Sequence, residues 1–216
     1  MRNFFLFFVI LFLSGAATQN DDEQAMQLEI KEYALANVDT LVDIGCQDGA
    51  FSREIARAYP NLYLILEDLE NYKLCTKGGT NCMTVNTKKQ VTKKFKNSKK
   101  YPNLAGRYKF IAGKIDSIPL PSDSYNRVLC RRTVHEFVQQ KKMISELKRI
   151  LSSDGILTIV EAEPGYANQV DIFCNKRYLT KNEVIELFKD FQLDSFKTIQ
   201  YGIYNMNVYN FKKQSR

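Results

Sequence analysis

The chain has 216 residues, 44% hydrophobic and 25% charged, which fits one globular α/β domain with a full-sized core and leaves no room for an array of domains. It contains no internal repeat. The formal charge of +7 comes largely from one lysine-rich stretch, so the basic balance by itself names no partner.

In chain order, Arg2 precedes an apolar run from Phe4 to Leu13, followed by Ser14-Gly15-Ala16-Ala17. A basic start, a short apolar stretch and small residues make a secretory signal peptide. A run of about ten residues is too short to cross a hydrocarbon core of about 30 Å as a helix. Residues 1–18 therefore read as a cleaved export signal and 19–216 as a single domain, periplasmic or secreted. Asp21 to Asn37 reads as an amphipathic lead-in helix, with Met26, Ile30, Tyr33 and Ala34 at helical spacing.

Leu41, Val42 and Ile44 form an apolar run without helical period, as in a parallel strand buried on both faces. The run turns at Gly45 through Cys46-Gln47-Asp48-Gly49 into a helix from about residue 50 to 59. Strand, glycine turn and helix present backbone N–H groups and a helix N-terminus to a nucleotide. The dinucleotide fingerprint G-x-G-x-x-G does not fit Gly45, Gln47 and Ala50; counted from Asp43 the turn is D-x-G-x-Q-x-G. Leu62 to Leu66 is a second strand closing on Glu67-Asp68. An acid there can accept from both hydroxyls of a ribose; Asp68 is the candidate and Glu67 the fallback. The plainer alternative is a charged residue at an exposed strand end.

Residues 69–106 read as a short helix and then a Lys-rich insertion at about 75–106. Lys88 to Lys100 is either a patch for an anionic surface or a solvated face. Only Phe95 and Tyr101 interleave with the lysines, so no specific nucleic-acid binding is expected. Five cysteines leave at least one unpaired within the chain, and Cys75 with Cys82 is the first pair to test. Their spacing matches no zinc site and His135 is the only histidine, so no metal is expected.

Tyr108 to Ala112 is a third strand, and Tyr125 to Cys130 a fourth that leads into Arg131-Arg132-Thr133-Val134-His135-Glu136. A helix at about 138–151 ends in Ser152-Ser153-Asp154-Gly155, with Gly155 expected at a left-handed C-cap. Ile156 to Val160 is a fifth strand. Thr180 and Glu183 make a capping box for a last helix, and two alternating strands, Leu193–Ile199 and Ile203–Phe211, close the domain.

The turn D-x-G-x-Q-x-G, Asp68, the stretch GKIDSIPLP, the strand SYNRVLC and the run LKRILSSDGILTIVEAEP resemble motifs of the class I S-adenosylmethionine-dependent methyltransferases over about 35–211. The resemblance implies a Rossmann-like α/β fold with a seven-stranded, mostly parallel sheet in the order 3-2-1-4-5-7-6 and helices on both faces. It implies S-adenosyl-L-methionine as cofactor, bound by Asp43, Gly45, Cys46, Gln47, Gly49, Asp68, Lys114, Ile115 and Arg131. It implies methyl transfer to a small-molecule or envelope acceptor by a monomer or dimer, with His135 as the first candidate base and Glu136 and Glu161 as second choices.

Gln47, Lys114 and Asn126 depart from the family pattern. A lysine cannot accept from an adenine amino group, which leaves the Ile115 amide and Asp116 for that contact. Arg131 and Arg132 could instead grip an acceptor carboxylate or phosphate. The alternative is a non-catalytic relative that keeps the fold and binds a nucleoside-like ligand or a partner.

Overall fold

The computed structural model describes residues 21–75, 82–96, 104, 106–165, 169–171 and 174–214. The expected export signal, Lys99 and Lys100 lie outside them. Among the described residues, no helix is long and apolar enough to cross a membrane.

Strand β1, Thr40–Ile44, is buried from Leu41 onward, and its side chains alternate between two cores. Leu41 joins a cluster with Leu64, Leu66 and Leu129, whereas Val42 and Ile44 join Ile65, Val128 and Ile159. A strand apolar on both faces has to be central, because only helices on either side can keep water off both.

Helices α1 (residues 21–31), α2 (Ala50–Ala58) and α3 (Thr87–Lys96) cover the first face through Ile30, Ile55 and Phe95. Helices α4 (Gln140–Ile150) and α5 (Lys181–Leu187) cover the second through Met143, Leu147 and Val184. The lead-in helix stops short of the expected span: Ala34 is exposed, at φ 53°.

The other strands are β2 (Tyr63–Leu69), β3 (Asn71–Cys75), β4 (Cys82–Asn86), β5 (Tyr108–Gly113), β6 (Tyr125–Arg131), β7 (Leu151–Ala162), β8 (Phe191–Tyr201) and β9 (Tyr204–Lys213). The main sheet runs β5-β2-β1-β6-β7-β9-β8, parallel except where β9 pairs with β7 and β8. With the separate β3–β4 hairpin left out of the numbering, this is 3-2-1-4-5-7-6. Parallel strands need long crossovers, so the order reverses beside β1 and the carboxyl ends of β1, β2, β5 and β6 border one crevice.

Two local expectations need correcting. The stretch after β2 is a hairpin and then a helix, not a helix and then a loose insertion. Its register sets Cys75 opposite Cys82. Helix α3 turns Lys88, Lys89, Lys93 and Lys96 to solvent and buries Val91 and Phe95. Phe95 packs on Tyr108 with ring centroids 4.4 Å apart. The lysine run is thus the wet face of an amphipathic helix whose dry face belongs to the core.

Gly155 is not a left-handed cap either, because β7 runs unbroken from Leu151. A Cβ at Gly155 would lie 2.7 Å from Leu151 Cδ1, so the glycine is required by space, not by φ. Farther on, Thr180 caps α5 and makes the full capping box with Glu183.

Candidate functional site

The site begins at the end of β1. Gly45, Gln47 and Gly49 take φ values of 74°, 52° and 73°, so every second residue of the turn is left-handed. Left-handed backbone suits glycine and costs other residues about 1 kcal/mol or more. Gln47 adopts the conformation that the missing glycine would have taken, so this departure leaves the turn intact. Gly45 is also fixed by contact: a Cβ there would lie 2.2 Å from Thr133 Cγ2. At Gly49 a Cβ would come within 3.0 Å of Phe95 Cε2, which seats the turn on α3.

The turn does not offer a row of free donors, as its sequence suggested. The amides of Gly45 and Cys46 donate to the Glu67 carbonyl at 2.8 and 3.1 Å, and Gly49 N–H donates to the Cys46 carbonyl. Gln47 N–H donates to Asp68 Oδ2 at 2.7 Å, and Ala50 N–H to Asp48 Oδ1. What the turn presents is a compact backbone, left-handed at alternate residues and locked to the acid one strand over.

Asp68 Oδ1 accepts from its neighbour Leu69 N–H at 2.7 Å. Burial pushes its carboxyl up to about 6 against the pull of those two amides. Glu67, 3% exposed, lies over Gly113, where a Cβ would sit 1.5 Å from Glu67 Oε1. Burial first, then the Asp68 charge, raises Glu67 to about 8, so at neutral pH this acid is largely protonated.

Asp43 is a support and not a ligand-facing group. It is 4% exposed and accepts from Ser52 Oγ, tying the strand end to α2. Cys46 is also buried, and burial pushes its thiol well above the ordinary range. Beyond β5, Lys114 is exposed, with its amide on the Ser117 carbonyl at 3.1 Å, and Ile115 is half exposed. Asp116 pairs with Lys142 at 2.9 Å and so does not take the place of the missing acid. Asn126 accepts from Ser152 Oγ at 2.6 Å at the far end of β6 and β7.

Arg131, the last residue of β6, turns its guanidinium to the lead-in helix. Its guanidinium grips Glu29 of α1 with Nε–Oε1 2.7 Å and Nη2–Oε2 3.2 Å, over the Phe51 ring at 3.8 Å. Tyr33 and Tyr201 also donate to Glu29. The expected cofactor ligand is a clamp that fastens the lead-in helix to the sheet. Arg132 pairs with Asp171 at 2.6 Å.

His135 and Glu136 lie in the short 3-10 turn Val134–Glu136 after β6. His135 Nδ1 is 2.7 Å from Glu161 Oε2, and Glu161 Oε1 accepts from the amides of Val134 and His135. Burial pulls the imidazole down, but the Glu161 hydrogen bond and charge leave it above its ordinary value. Burial also raises Glu136. Cys174, half-buried, joins them from the loop after β7, its thiol pushed up to about 11 by burial. Sequence reasoning gave no role to Cys174, Thr133 or Ser52. A lone cysteine or threonine in a loop carries no pattern from which a partner can be read.

A methyltransferase-domain model matches residues 66–159, and an O-methyltransferase-domain model matches residues 11–78. The uncharacterized methyltransferase YcgJ of Bacillus subtilis is 34% identical over 53 residues, which are 24% of this chain and only 21% of that protein. Its crystal structure aligns over 89% of this chain and all of its own, at 17% identity and a TM-score of 0.60. An S-adenosylmethionine-dependent methyltransferase from Aquifex aeolicus aligns over 86% of this chain and 88% of its own, with 16% identity and a TM-score of 0.63. The Burkholderia thailandensis 1,6-didemethyltoxoflavin-N1-methyltransferase, solved with 1,6-didemethyltoxoflavin and S-adenosylhomocysteine, aligns over 96% and 86%, with 14% identity and a TM-score of 0.62. At such identities the structural likeness speaks for the fold alone, and the domain models add the sequence signal. Sheet order and fold are thus those of the class I methyltransferases, and residues 66–159 carry the sequence signal of a methyltransferase domain.

Proposed function

We propose that the chain binds S-adenosyl-L-methionine across the ends of β1, β2 and β5 and transfers its methyl group to a small-molecule acceptor. The observation that carries this is the turn Gly45–Gly49, left-handed at alternate residues and hydrogen-bonded at 2.7 Å to Asp68. The residues fit the cofactor. Each Asp68 oxygen spends one lone pair on an amide and keeps another for a ribose hydroxyl. Half-exposed Ile115 offers an apolar contact to the adenine face. Bound there, the cofactor supplies a methyl group that is already activated, so the protein's share is mostly alignment. The acceptor side is the turn after β6, where Thr133 touches Gly45 and His135 and Glu136 follow. The small molecule in the Burkholderia enzyme supports that acceptor class.

Thermal melting with S-adenosylhomocysteine tests the proposal. Ligand at 100 times its dissociation constant adds about 2.7 kcal/mol of stability. No shift at millimolar ligand discards it. Lys114, in place of the usual acid, favours the second reading, a non-catalytic relative. Binding that Asp68→Ala leaves unchanged would remove Asp68 from the site.

Export also belongs to the proposal, carried by Arg2 and the run Phe4–Leu13, and sequencing the N-terminus of secreted protein tests it. The exposed lysines of α3 are a docking face for an anionic surface; vesicle binding insensitive to salt removes that role.

A further inference from the structure

The three groups beyond β6 have a chemistry that methyl transfer alone does not require. One ligating atom each of His135, Glu136 and Cys174 lies within 4.8 Å of the other two. The His135 side chain is fully buried, and its Nδ1 is taken by Glu161. With the Nδ1 proton directed at that carboxylate, the lone pair sits on Nε2, which is buried and has no hydrogen-bond partner among the described residues. An unsatisfied buried polar atom is rare and costs stability, so a site that leaves one is built for something to bind. A carboxylate fixing one imidazole nitrogen while the other faces a cluster of donors is how metal-binding histidines are held. Here Glu161 is itself anchored by the amides of Val134 and His135, so the ring orientation is set before any ion arrives.

We propose that His135 Nε2, the Glu136 carboxylate and the Cys174 thiolate bind a zinc ion beside the cofactor turn, leaving one coordination position open. One nitrogen, one oxygen and one sulfur donor suit Zn²⁺ better than hard ions such as Mg²⁺ or Ca²⁺, which take oxygen ligands. Three protein ligands with an open fourth position are the arrangement of a catalytic zinc, not of a structural one. Asp171 braces the loop that carries the cysteine: it pairs with Arg132, accepts from Tyr178 Oη at 2.7 Å and receives Cys174 N–H at 3.4 Å.

The substrate class follows, and this part rests on the methyltransferase reading. The open position suits a thiol or alcohol acceptor, which gives its proton to solvent on binding the ion. The new bond joins the acceptor sulfur or oxygen to the methyl carbon, and the breaking bond returns its electron pair to the sulfonium sulfur. No oxidant or reductant is needed. The metal would replace a side-chain base.

The test uses the whole chain, stripped with chelator and titrated with Co²⁺ as the spectroscopic probe. The expected result is one equivalent bound, with visible bands of a tetrahedral ion, a near-ultraviolet thiolate-to-cobalt band, and displacement by Zn²⁺. Cys174→Ser, in a loop where folding is little disturbed, should abolish the thiolate band and weaken binding at least tenfold. His135→Gln should do the same to binding. A Cys75→Ser/Cys82→Ser double variant should keep the band, which excludes the hairpin as its source. An octahedral spectrum, or Cys174→Ser binding as tightly as the parent, overturns the metal site. S-adenosylhomocysteine affinity, measured on the parent beside the metal titration, separates the two ideas: a parent that binds S-adenosylhomocysteine but no Co²⁺ sinks only the zinc, and absence of that affinity in the parent sinks the methyltransferase reading.

Discussion

Gln47 N–H donates to Asp68 Oδ2 across 2.7 Å, and with the Gly45 and Cys46 amides on the Glu67 carbonyl this bond makes the turn after β1 and the end of β2 a single unit. The acid is aimed by the turn, and the turn is closed by the acid.

Replacing Asp68 therefore has a graded outcome. Asp68→Asn keeps the size but loses the charge-assisted bonds, each worth about 1.5–3 kcal/mol. S-adenosylhomocysteine affinity is expected to fall at least tenfold, and further for Asp68→Ala, by isothermal titration calorimetry. Parent-like affinity in either variant takes Asp68 out of the site.

Binding and stability respond to pH with opposite signs. Asp68 titrates at about 6, so cofactor-product affinity should drop as pH falls from 7 to 5 and the carboxylate is lost. Glu67 is raised from 4.5 to about 8, mainly by burial. Its neutral form stabilises the fold fully below its unfolded value, and that contribution is lost as pH rises through about 8. One proton gives at most about 1.4 kcal/mol per pH unit. Urea unfolding should show stability falling from pH 5 to 8.5 in the parent and a flatter profile in Glu67→Gln. Identical profiles would remove Glu67 as the cause.

The left-handed Gln47 predicts an asymmetry between two substitutions. Gln47→Gly should be neutral or slightly stabilising, because glycine enters φ 52° without strain. Gln47→Val should cost about 1–2 kcal/mol, a β-branched residue being the worst fit there. Chemical denaturation of both variants checks this, and equal losses would mean that the turn is not left-handed at this position.

Arg131 and Glu29 should behave as structure. Glu29→Gln leaves a buried guanidinium with half its partner, and breaking a buried pair costs about 3–5 kcal/mol. Unfolding midpoints should fall accordingly, while S-adenosylhomocysteine affinity well below the melting temperature stays at the parent value. A parallel loss of affinity would return Arg131 to the cofactor site.

Much of the fold was legible without coordinates. The doubly apolar β1, the glycine turn, the acid at the end of β2 and the Thr180–Glu183 capping box all stand in the structure where the sequence put them. Such signals involve residues within a few positions of one another, where backbone sterics and hydrogen bonding act directly. Gln47 looked like a defect because sequence records residue type and not φ. The lysine run looked like an insertion because its charge outweighs the two buried side chains, Val91 and Phe95, that place it.

By itself the sequence determined the strands of the main sheet, the turn that shapes the crevice, and the resemblance to the methyltransferases. Tertiary structure alone decided which side chains meet: Arg131 with Glu29, 102 residues away, instead of a ligand; His135 with Glu161; and Cys174 beside both His135 and Glu136. The physical reason is that local periodicity fixes elements, whereas a charged or metal-binding side chain finds its partner only after strand register and crossovers bring distant segments to one end of the sheet.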